Sequence, residues 1–201
     1  MRIYIIDKYK AITFALIILL LILGLSLTKN TAINVANPQK EVPIYRVERQ
    51  DNKIALTFDC AWGADDIDDI IKTLKDENVK CTFFVVGDFL DKYPEAVKKL
   101  YDAGHEIANH SDSHAHFNIL NAEQMKKDLD ECDRKIRELT GYEGEILFRA
   151  PYGEYNNQLM KVCRETNRKV IQWDVDGMDI KVKTKKSPGK GFFLCFLQLF
   201  N

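Results

Sequence analysis

The sequence lacks a surplus of charge of either sign, a paired-cysteine motif and any internal repeat. Its 29 lysines and arginines balance 30 aspartates and glutamates, for a formal net charge of −1. This balance gives no global electrostatic reason to expect a nucleic-acid partner. The five cysteines are scattered without a C-x-x-C pair, which argues against a zinc ribbon and a disulfide-rich scaffold. The length of 201 residues suits one domain of ordinary size.

A long uncharged run lies near the N-terminus. Ala11 to Leu27, AITFALIILLLILGLSL, has with its flanks the length of a bilayer-spanning helix. Basic residues precede it, which favours a cytoplasmic N-terminus over residues 1–10 and a remainder delivered outside the cytoplasm. No A-x-A cleavage site follows, so residues 11–28 are interpreted as an uncleaved transmembrane signal anchor rather than a removed signal peptide. Residues 29–50 then form a linker, and the expected location is the cell membrane, single-pass, with the folded domain extracytoplasmic.

Apolar runs alternate with amphipathic stretches from Lys53 onward, a pattern typical of strands that feed crossover helices in an α/β fold. We predict the folded domain over residues 51–180, followed by an atypical basic and apolar tail over residues 181–201. The predicted strands are IALTF at 54–58, CTFFVVG at 81–87, HEIA at 105–108, ILFRAPYG at 146–153 and KVIQWDVD at 169–176. We also predict a helix that opens at Pro94 and closes near Gly104, and a long charged helix that Asn121 caps and that runs to about Leu139.

Two polar segments directly follow predicted strands, where α/β folds build active sites. Asp59 closes the first strand in TFDCAWG, and taken alone it is as consistent with a turn-capping role as with a catalytic one. In NHSDSHAH, His110 and His114 lie four residues apart and are predicted to share one face of a helical turn, as two ligands of one metal require. A lone H-x-x-x-H is more often a polar surface loop. His105 and His116 do not share the spacing and are left out of the predicted ligand set.

A third polar segment, FRAPYG, follows the fourth predicted strand. Arg149 comes directly after the buried part of that strand, and Pro151 stiffens the turn that presents Tyr152. The alternative interpretation of this segment taken alone is an ordinary loop with a surface arginine.

Taken in order, TFD, HSxxH and RxPYG make the chain resemble the polysaccharide deacetylases, which share the NodB homology domain. The resemblance covers roughly Lys53 to Asp176. The variant TFDxxWG together with WDVD is most similar to the spore-former branch, which acts on wall or cortex peptidoglycan. The resemblance implies a distorted (β/α) barrel, a divalent metal, and hydrolysis of the N-acetyl group of N-acetylglucosamine or N-acetylmuramic acid residues.

The resemblance also implies a role for each residue of the three motifs. His110 and His114 would hold the metal, with zinc expected and cobalt or another divalent ion as alternatives. Asp59 would be the general base. The remaining roles are orientation of Asp59 by Arg149, positioning of Arg149 by Asp176, oxyanion stabilisation by the Tyr152 backbone N–H, and substrate contact by Pro151 and Tyr152.

The sequence departs from the family pattern at two places. Most members have a second aspartate after the base as third metal ligand, whereas this chain has Cys60, which we expect to pack as a small apolar residue rather than to bind metal as a thiolate. Ile180 replaces a tryptophan of the acetyl pocket, and no histidine follows His116 to serve as general acid. We therefore expect a barrel that is incomplete at the C-terminus, with an unpaired sheet edge and low activity. A frame shift or truncation near Asp179 would explain the tail, as would a membrane-contacting segment.

Three functional hypotheses remain open. The leading one is a membrane-anchored, metal-dependent deacetylase of cell-wall glycan. The second is a catalytically impaired, membrane-tethered pseudoenzyme that binds the same glycan. The third is a metal-dependent amidase that acts on a small molecule or a peptide, because the same residues would serve it.

Overall fold

The structure is a computed structural model that describes residues 8–28, 41–47, 53–176 and 193–199, with the backbone alone at 11, 24–28 and 193–199. The chain forms two compact units, Met1–Gln39 and Lys40–Asn201. In the first unit, helix α1 runs over Lys8–Thr28. Within the described part of the chain, no helix combines the length and the apolar character that crossing a membrane requires. The transmembrane anchor predicted over residues 11–28 is therefore not confirmed.

The second unit is built on three parallel strands, β1 Ile54–Cys60, β2 Thr82–Val85 and β3 Glu106–Asn109. Their registers bring the carboxyl ends of all three to one edge of the sheet, with Cys60 opposite Val85 and Val85 opposite Asn109. The helices that connect or follow them are α2 Ile67–Asp76, α3 Gly87–Lys92, α4 Pro94–Asp102, α5 Ala122–Thr140 and α6 Asn157–Glu165. The alternation of strands and helices confirms the predicted α/β class.

The helix boundaries follow the capping residues that the sequence offers. Asn121 accepts a hydrogen bond from the Gln124 backbone N–H at 2.9 Å, and the Gln124 side chain accepts one from the Asn121 N–H at 2.9 Å. This capping box starts α5 at the predicted position. Pro94 occupies the first turn of α4, and Gly104 follows the end of α4 with a φ of 83°.

The fourth predicted strand is reduced to bridges at Phe148, and the fifth to bridges at Val170 and Ile171 followed by the two-residue strand β4, Val175–Asp176. Phe148 forms an isolated parallel bridge with Asn109 and another with Val170, and Ile44 forms one with Ile171. These bridges continue the parallel order beyond β3. The first segment is shorter than predicted because a 3-10 turn at Pro151–Gly153 ends it, and proline has no N–H to donate to a ladder.

The apolar tail contains a strand that the prediction missed. Strand β5, Phe193–Leu199, pairs antiparallel with β1 along its whole length and also with β4, Val175–Asp176. The sheet order is β3-β2-β1-β5-β4. The expectation of an unpaired edge is therefore wrong at β1. The apolar run of the tail pairs with the backbone groups of the open sheet edge. The basic residues before this run had led us to place it outside the folded domain.

Three groups of buried side chains form the core. One lies between the parallel strands and α2 to α5, with Phe83, Phe89 and Leu100 fully buried. Another lies between α5, α6 and the bridge segments, and includes Phe117 and Phe148. The third is formed by Phe84, Ala108 and Ile171. Because successive residues of a strand point to opposite faces, the burial of Phe83 and Phe84 shows that both faces of β2 are covered.

Candidate active site

The three polar motifs meet at the carboxyl edge of the parallel strands. Asp59 is the penultimate residue of β1, His110 directly follows β3, and Arg149 directly follows the bridge residue Phe148. Because neighbouring parallel strands end on the same side of a sheet, residues distant in the chain converge there. Asp59, His110 and Arg149 are at most 4% exposed.

Asp59 contacts both of the other motifs. Arg149 donates a hydrogen bond from Nη1 to Asp59 Oδ1 at 2.7 Å, so the pairing inferred from the sequence is present. The second carboxylate oxygen, Oδ2, lies 3.5 Å from His110 Nε2. The guanidinium also lies over the Phe84 ring, 4.0 Å from its centroid. These contacts hold the Asp59 carboxylate in one orientation toward His110.

The neighbours of His110 determine which of its two ring nitrogens carries the hydrogen. Its Nδ1 lies 2.8 Å from the Arg149 carbonyl oxygen, and because a carbonyl can only accept, Nδ1 bears the hydrogen. Burial lowers the pKa of His110, against the opposing influence of Asp59. The ring is therefore neutral near pH 7, and the Nε2 lone pair faces the Asp59 carboxylate.

His114 supplies a second neutral imidazole beside the first. The two ring centroids are 5.3 Å apart and the planes cross at 70°. Burial, followed by the neighbouring His110, lowers the pKa of His114 to about 4. Its Nδ1 is 3.1 Å from the Tyr152 hydroxyl, a hydrogen bond whose direction follows the tautomer. The two histidines thus come together as the motif predicted.

The predicted helical turn between the histidines is wrong. No helix covers residues 110–116, and Ser111 and His114 have φ values of 73° and 53°. Asn109 Oδ1 accepts from the Ser111 N–H at 2.7 Å. Asp128 of α5 accepts from the Asp112 N–H at 2.9 Å and from the Ser113 N–H and hydroxyl at 3.1 and 2.6 Å. Side-chain acceptors therefore shape an irregular loop that brings the rings together.

Sequence reasoning missed the two acceptors that hold this loop. Asn109 precedes the motif and is fully buried, with its amide donating to the Leu129 carbonyl at 2.9 Å and to Asp133 Oδ1 at 2.6 Å. Its position at a strand end was a usable signal. Asp128 lies on a highly charged helix, where nothing in the sequence separates it from its neighbours.

The remaining predicted residues lie at different depths. Pro151 is buried, whereas Tyr152 is 56% exposed and has a φ of 59°. Asp176 lies exposed at the end of β4. Its predicted role toward Arg149 remains a prediction.

His116 belongs to the site although the sequence analysis left it out. Its ring stacks on Tyr152 with centroids 4.1 Å apart and planes at 10°. Its Nδ1 lies 3.0 Å from Glu154 Oε1. No spacing along the chain links His116 to the FRAPYG segment.

Cys60 packs in the core rather than facing the histidines. It is fully buried among the apolar residues between the strands and helices. Burial, followed by the negative charge of Asp59, raises the pKa of the Cys60 thiol well above its ordinary value. The thiol therefore stays protonated, as expected of a small apolar residue.

The donor chemistry fits a divalent cation, but the number of protein ligands is small. A neutral imidazole lone pair that faces a carboxylate oxygen, with a second neutral imidazole alongside, suits a cation that accepts nitrogen ligands. Among the residues that the structure describes, no group of three or more histidine, cysteine, aspartate or glutamate side chains is arranged to hold a metal ion. His110 and His114 are the two imidazoles that lie side by side in this site.

The chain is similar to bacterial peptidoglycan deacetylases. It is 34% identical over 129 residues to the peptidoglycan-N-acetylglucosamine deacetylase of Bacillus cereus. The aligned region covers 64% of this chain and 46% of that protein. It is 28% identical over 148 residues to the peptidoglycan-N-acetylmuramic acid deacetylase PdaA of Bacillus subtilis, covering 74% of this chain and 56% of that one. The chain therefore spans about half the length of these curated relatives.

Among solved structures, the chain resembles BA3943 from Bacillus anthracis, described as a CE4 family pseudoenzyme. The TM-score is 0.66 at 29% identity, over 70% of this chain and 50% of that one. A BA3943 mutant described as having restored enzymatic activity matches with the same TM-score at 31% identity.

The family model described as "Polysaccharide deacetylase" matches residues 46–171, which include all three motifs of the buried site. Together with the α/β fold shared with the CE4 structures, this match shows that the chain belongs to the polysaccharide deacetylase family.

Proposed function

We propose that this protein hydrolyses the N-acetyl group of N-acetylglucosamine or N-acetylmuramic acid residues in peptidoglycan or a related polysaccharide. The observation that supports this most directly is the buried Asp59 carboxylate, which Arg149 holds at 2.7 Å and which faces His110 at 3.5 Å. The activities named for the relatives point to the same reaction class. Activity and substrate are proposals because the chain spans about half of those proteins.

In the proposed reaction, water adds to the acetyl carbon, the carbon–nitrogen bond breaks as the nitrogen takes up the proton that the water has lost, and acetate and a free amine are released. Asp59 Oδ2 accepts a proton from the attacking water, because Oδ1 is already engaged by Arg149. The Tyr152 backbone N–H is proposed to donate to the oxyanion. Pro151 and Tyr152 are proposed to contact the sugar, and Asp176 to help position Arg149.

His110 and His114 would hold the divalent metal, for which zinc is proposed because it accepts imidazole nitrogen. When bound, such an ion polarises the acetyl carbonyl and lowers the pKa of water. His110 is prepared for this role by its Nδ1 contact with the Arg149 carbonyl, which leaves Nε2 as the donor atom.

A second candidate function is a pseudoenzyme that binds wall glycan without efficient hydrolysis. Two observations favour it: Cys60 is buried where most family members have a third metal ligand, and the chain is similar to BA3943. In this case the exposed Tyr152 would still contact glycan, while catalysis would be weak.

The extracytoplasmic location also remains a proposal. A wall-glycan substrate would require the folded domain to lie outside the cytoplasm. Protease accessibility of the domain in intact cells stripped of wall, compared with lysed cells, tests this. Protection in the stripped cells would contradict it.

The decisive experiment measures acetate release from chitooligosaccharides and from peptidoglycan by the full chain with added zinc or cobalt. We expect release by the unaltered protein and a loss of about 100-fold or more in Asp59→Asn, because general base catalysis contributes roughly 10²–10⁴-fold. Asp88→Asn is the matched control, since Asp88 is an exposed aspartate that pairs only with Lys92 among its described ion pairs.

The outcomes separate the two candidates. Glycan binding without acetate release, in a protein that folds, would favour the pseudoenzyme. Equal release by Asp59→Asn and the unaltered protein would remove Asp59 from its proposed role.

A further inference from the structure

A row of ring contacts extends from the buried His110 imidazole through the half-buried His114 to the surface. His114 lies against Tyr152, with centroids 4.8 Å apart, and Tyr152 stacks on His116 at 4.1 Å. His116 is the one histidine of this row to which the family resemblance and the proposed mechanism give no role.

Tyr152 needs support from its neighbours. It is more than half exposed, and its φ of 59° is a left-handed conformation that a bulky residue adopts only where surrounding contacts hold it. The stack on His116 covers one face of the ring, since the two planes differ by only 10°. The hydroxyl at the end of the same ring contacts His114 Nδ1 at 3.1 Å.

His116 is itself anchored at two points. Its Nδ1 contacts Glu154 Oε1 at 3.0 Å. The next residue, Phe117, is fully buried and packs against Phe148 with centroids 5.3 Å apart. The imidazole is thus a fixed surface against which Tyr152 rests.

We infer that His116 is a positioning residue: its ring stack fixes Tyr152, and the Tyr152 hydroxyl fixes the His114 imidazole. With Nδ1 engaged by the hydroxyl, the other ring nitrogen of His114 is left to act with His110. Groups that orient a ligand through its second nitrogen commonly change metal affinity by 10–100-fold when they are removed. The inference rests on the proposed function, because orienting His114 serves to bind the metal. The orientation of the His114 ring can nevertheless be measured whether or not the protein is a deacetylase.

The first test observes His114 directly in the full chain without metal. The protein has four histidines, so ring-¹⁵N labelling gives four imidazoles that single substitutions assign. We expect His116→Ala to move the His114 nitrogen shifts toward those of a free imidazole, as Tyr152→Phe does by removing the hydroxyl. His116→Phe keeps a ring to stack on and should retain the unaltered pattern. Ile119→Ala is the control, because Ile119 is 82% exposed and lies in the 3-10 turn Phe117–Ile119 that directly follows His116.

Two results of this test would overturn the inference. One is an unchanged His114 spectrum in His116→Ala while Tyr152→Phe shifts it. The other is a His116→Phe spectrum that matches His116→Ala, because the ring stack would then not be the cause.

The second test titrates the same proteins with Co²⁺ alone and monitors its visible absorption. We expect about tenfold weaker binding in His116→Ala and in Tyr152→Phe, near-unaltered binding in His116→Phe, and no further loss in the His116→Ala/Tyr152→Phe double variant. Unchanged thermal unfolding of the metal-free variants would separate positioning from general destabilisation. Losses that add in the double variant would overturn the inference.

Failure of the proposed function has a different signature. Co²⁺ binding without acetate release would count against hydrolysis alone. Absence of Co²⁺ binding by the unaltered protein would count against the metal site, and the nitrogen shifts of His114 would still decide the role of His116.

Discussion

Asp59 and Arg149 form an ion pair that solvent barely reaches, with side-chain exposures of 4% and 0%. Removing one partner of such a pair leaves an uncompensated buried charge. We predict that Arg149→Met lowers the free energy of unfolding by about 3 kcal/mol, as typical for broken buried pairs. Chemical denaturation measures this.

The double variant Asp59→Asn/Arg149→Met distinguishes charge from packing. If the buried charge is the cause, the double variant should be more stable than Arg149→Met alone. Arg134→Met serves as the surface control, because Arg134 pairs with Glu131 and Glu138 on an exposed helix face. Its free energy of unfolding should stay close to that of the unaltered protein, since exposed ion pairs contribute little to stability. Equal losses in the double and single variants would contradict the explanation.

Cys60 allows a test of the metal ligand set at a single residue. Because the thiol is buried in the core and stays protonated, we predict that Cys60→Ala costs about 1 kcal/mol of stability through lost packing. The same substitution should leave the affinity for Zn²⁺ unchanged, as measured by competition with a chromophoric chelator. A large loss of Zn²⁺ affinity in Cys60→Ala would identify the sulfur as a ligand.

At the scale of secondary-structure elements, helix α5 supports the histidine loop through Asp128. Its carboxylate accepts three hydrogen bonds from Asp112 and Ser113. We predict that Asp128→Ala weakens Zn²⁺ binding about tenfold because the loop is released, while the helix content measured by circular dichroism is retained. Asp130→Ala, on the same helix and half exposed, should leave Zn²⁺ binding unchanged. Equal affinities in the two variants would contradict the role of Asp128.

The elements predicted correctly are those with a local signal. Asn121 and Pro94 fixed two helix starts because capping depends on residues within one turn. The convergence of Asp59, His110 and Arg149 also followed from local patterns, since each polar motif directly follows a strand. What failed depended on distant residues: the loop conformation at His114 is set by α5, and β5 exists through its pairing with β1. Spacing along the chain does not encode such contacts.

At the scale of the whole molecule, three histidines make stability depend on pH. Burial lowers the pKa of His105, His110 and His114 below the ordinary value of 6.5, that of His114 to about 4. Between pH 4 and pH 6.5 the unfolded chain binds more protons than the folded one. The free energy of unfolding therefore rises with pH across this range and decreases as the pH falls from 6.5 toward 4. We predict this slope for the metal-free protein in denaturant titrations across that range.

The variant His114→Asn isolates one contribution. Asparagine tolerates the left-handed backbone at this position better than most residues and does not titrate. We expect a shallower dependence on pH in this variant than in the unaltered protein. An identical slope in both would show that His114 does not contribute.

The position of β5 between β1 and β4 has a consequence for how the protein is made. The parallel neighbours β1, β2 and β3 can associate early in synthesis, because the segments between them are short. Strand β5, which pairs with the other side of β1, is translated after all the other described elements and must close a loop that contains most of the folded unit, which is slow for entropic reasons. A nascent chain therefore exposes the β1 backbone until β5 emerges, and its yield should depend on holding chaperones during that interval.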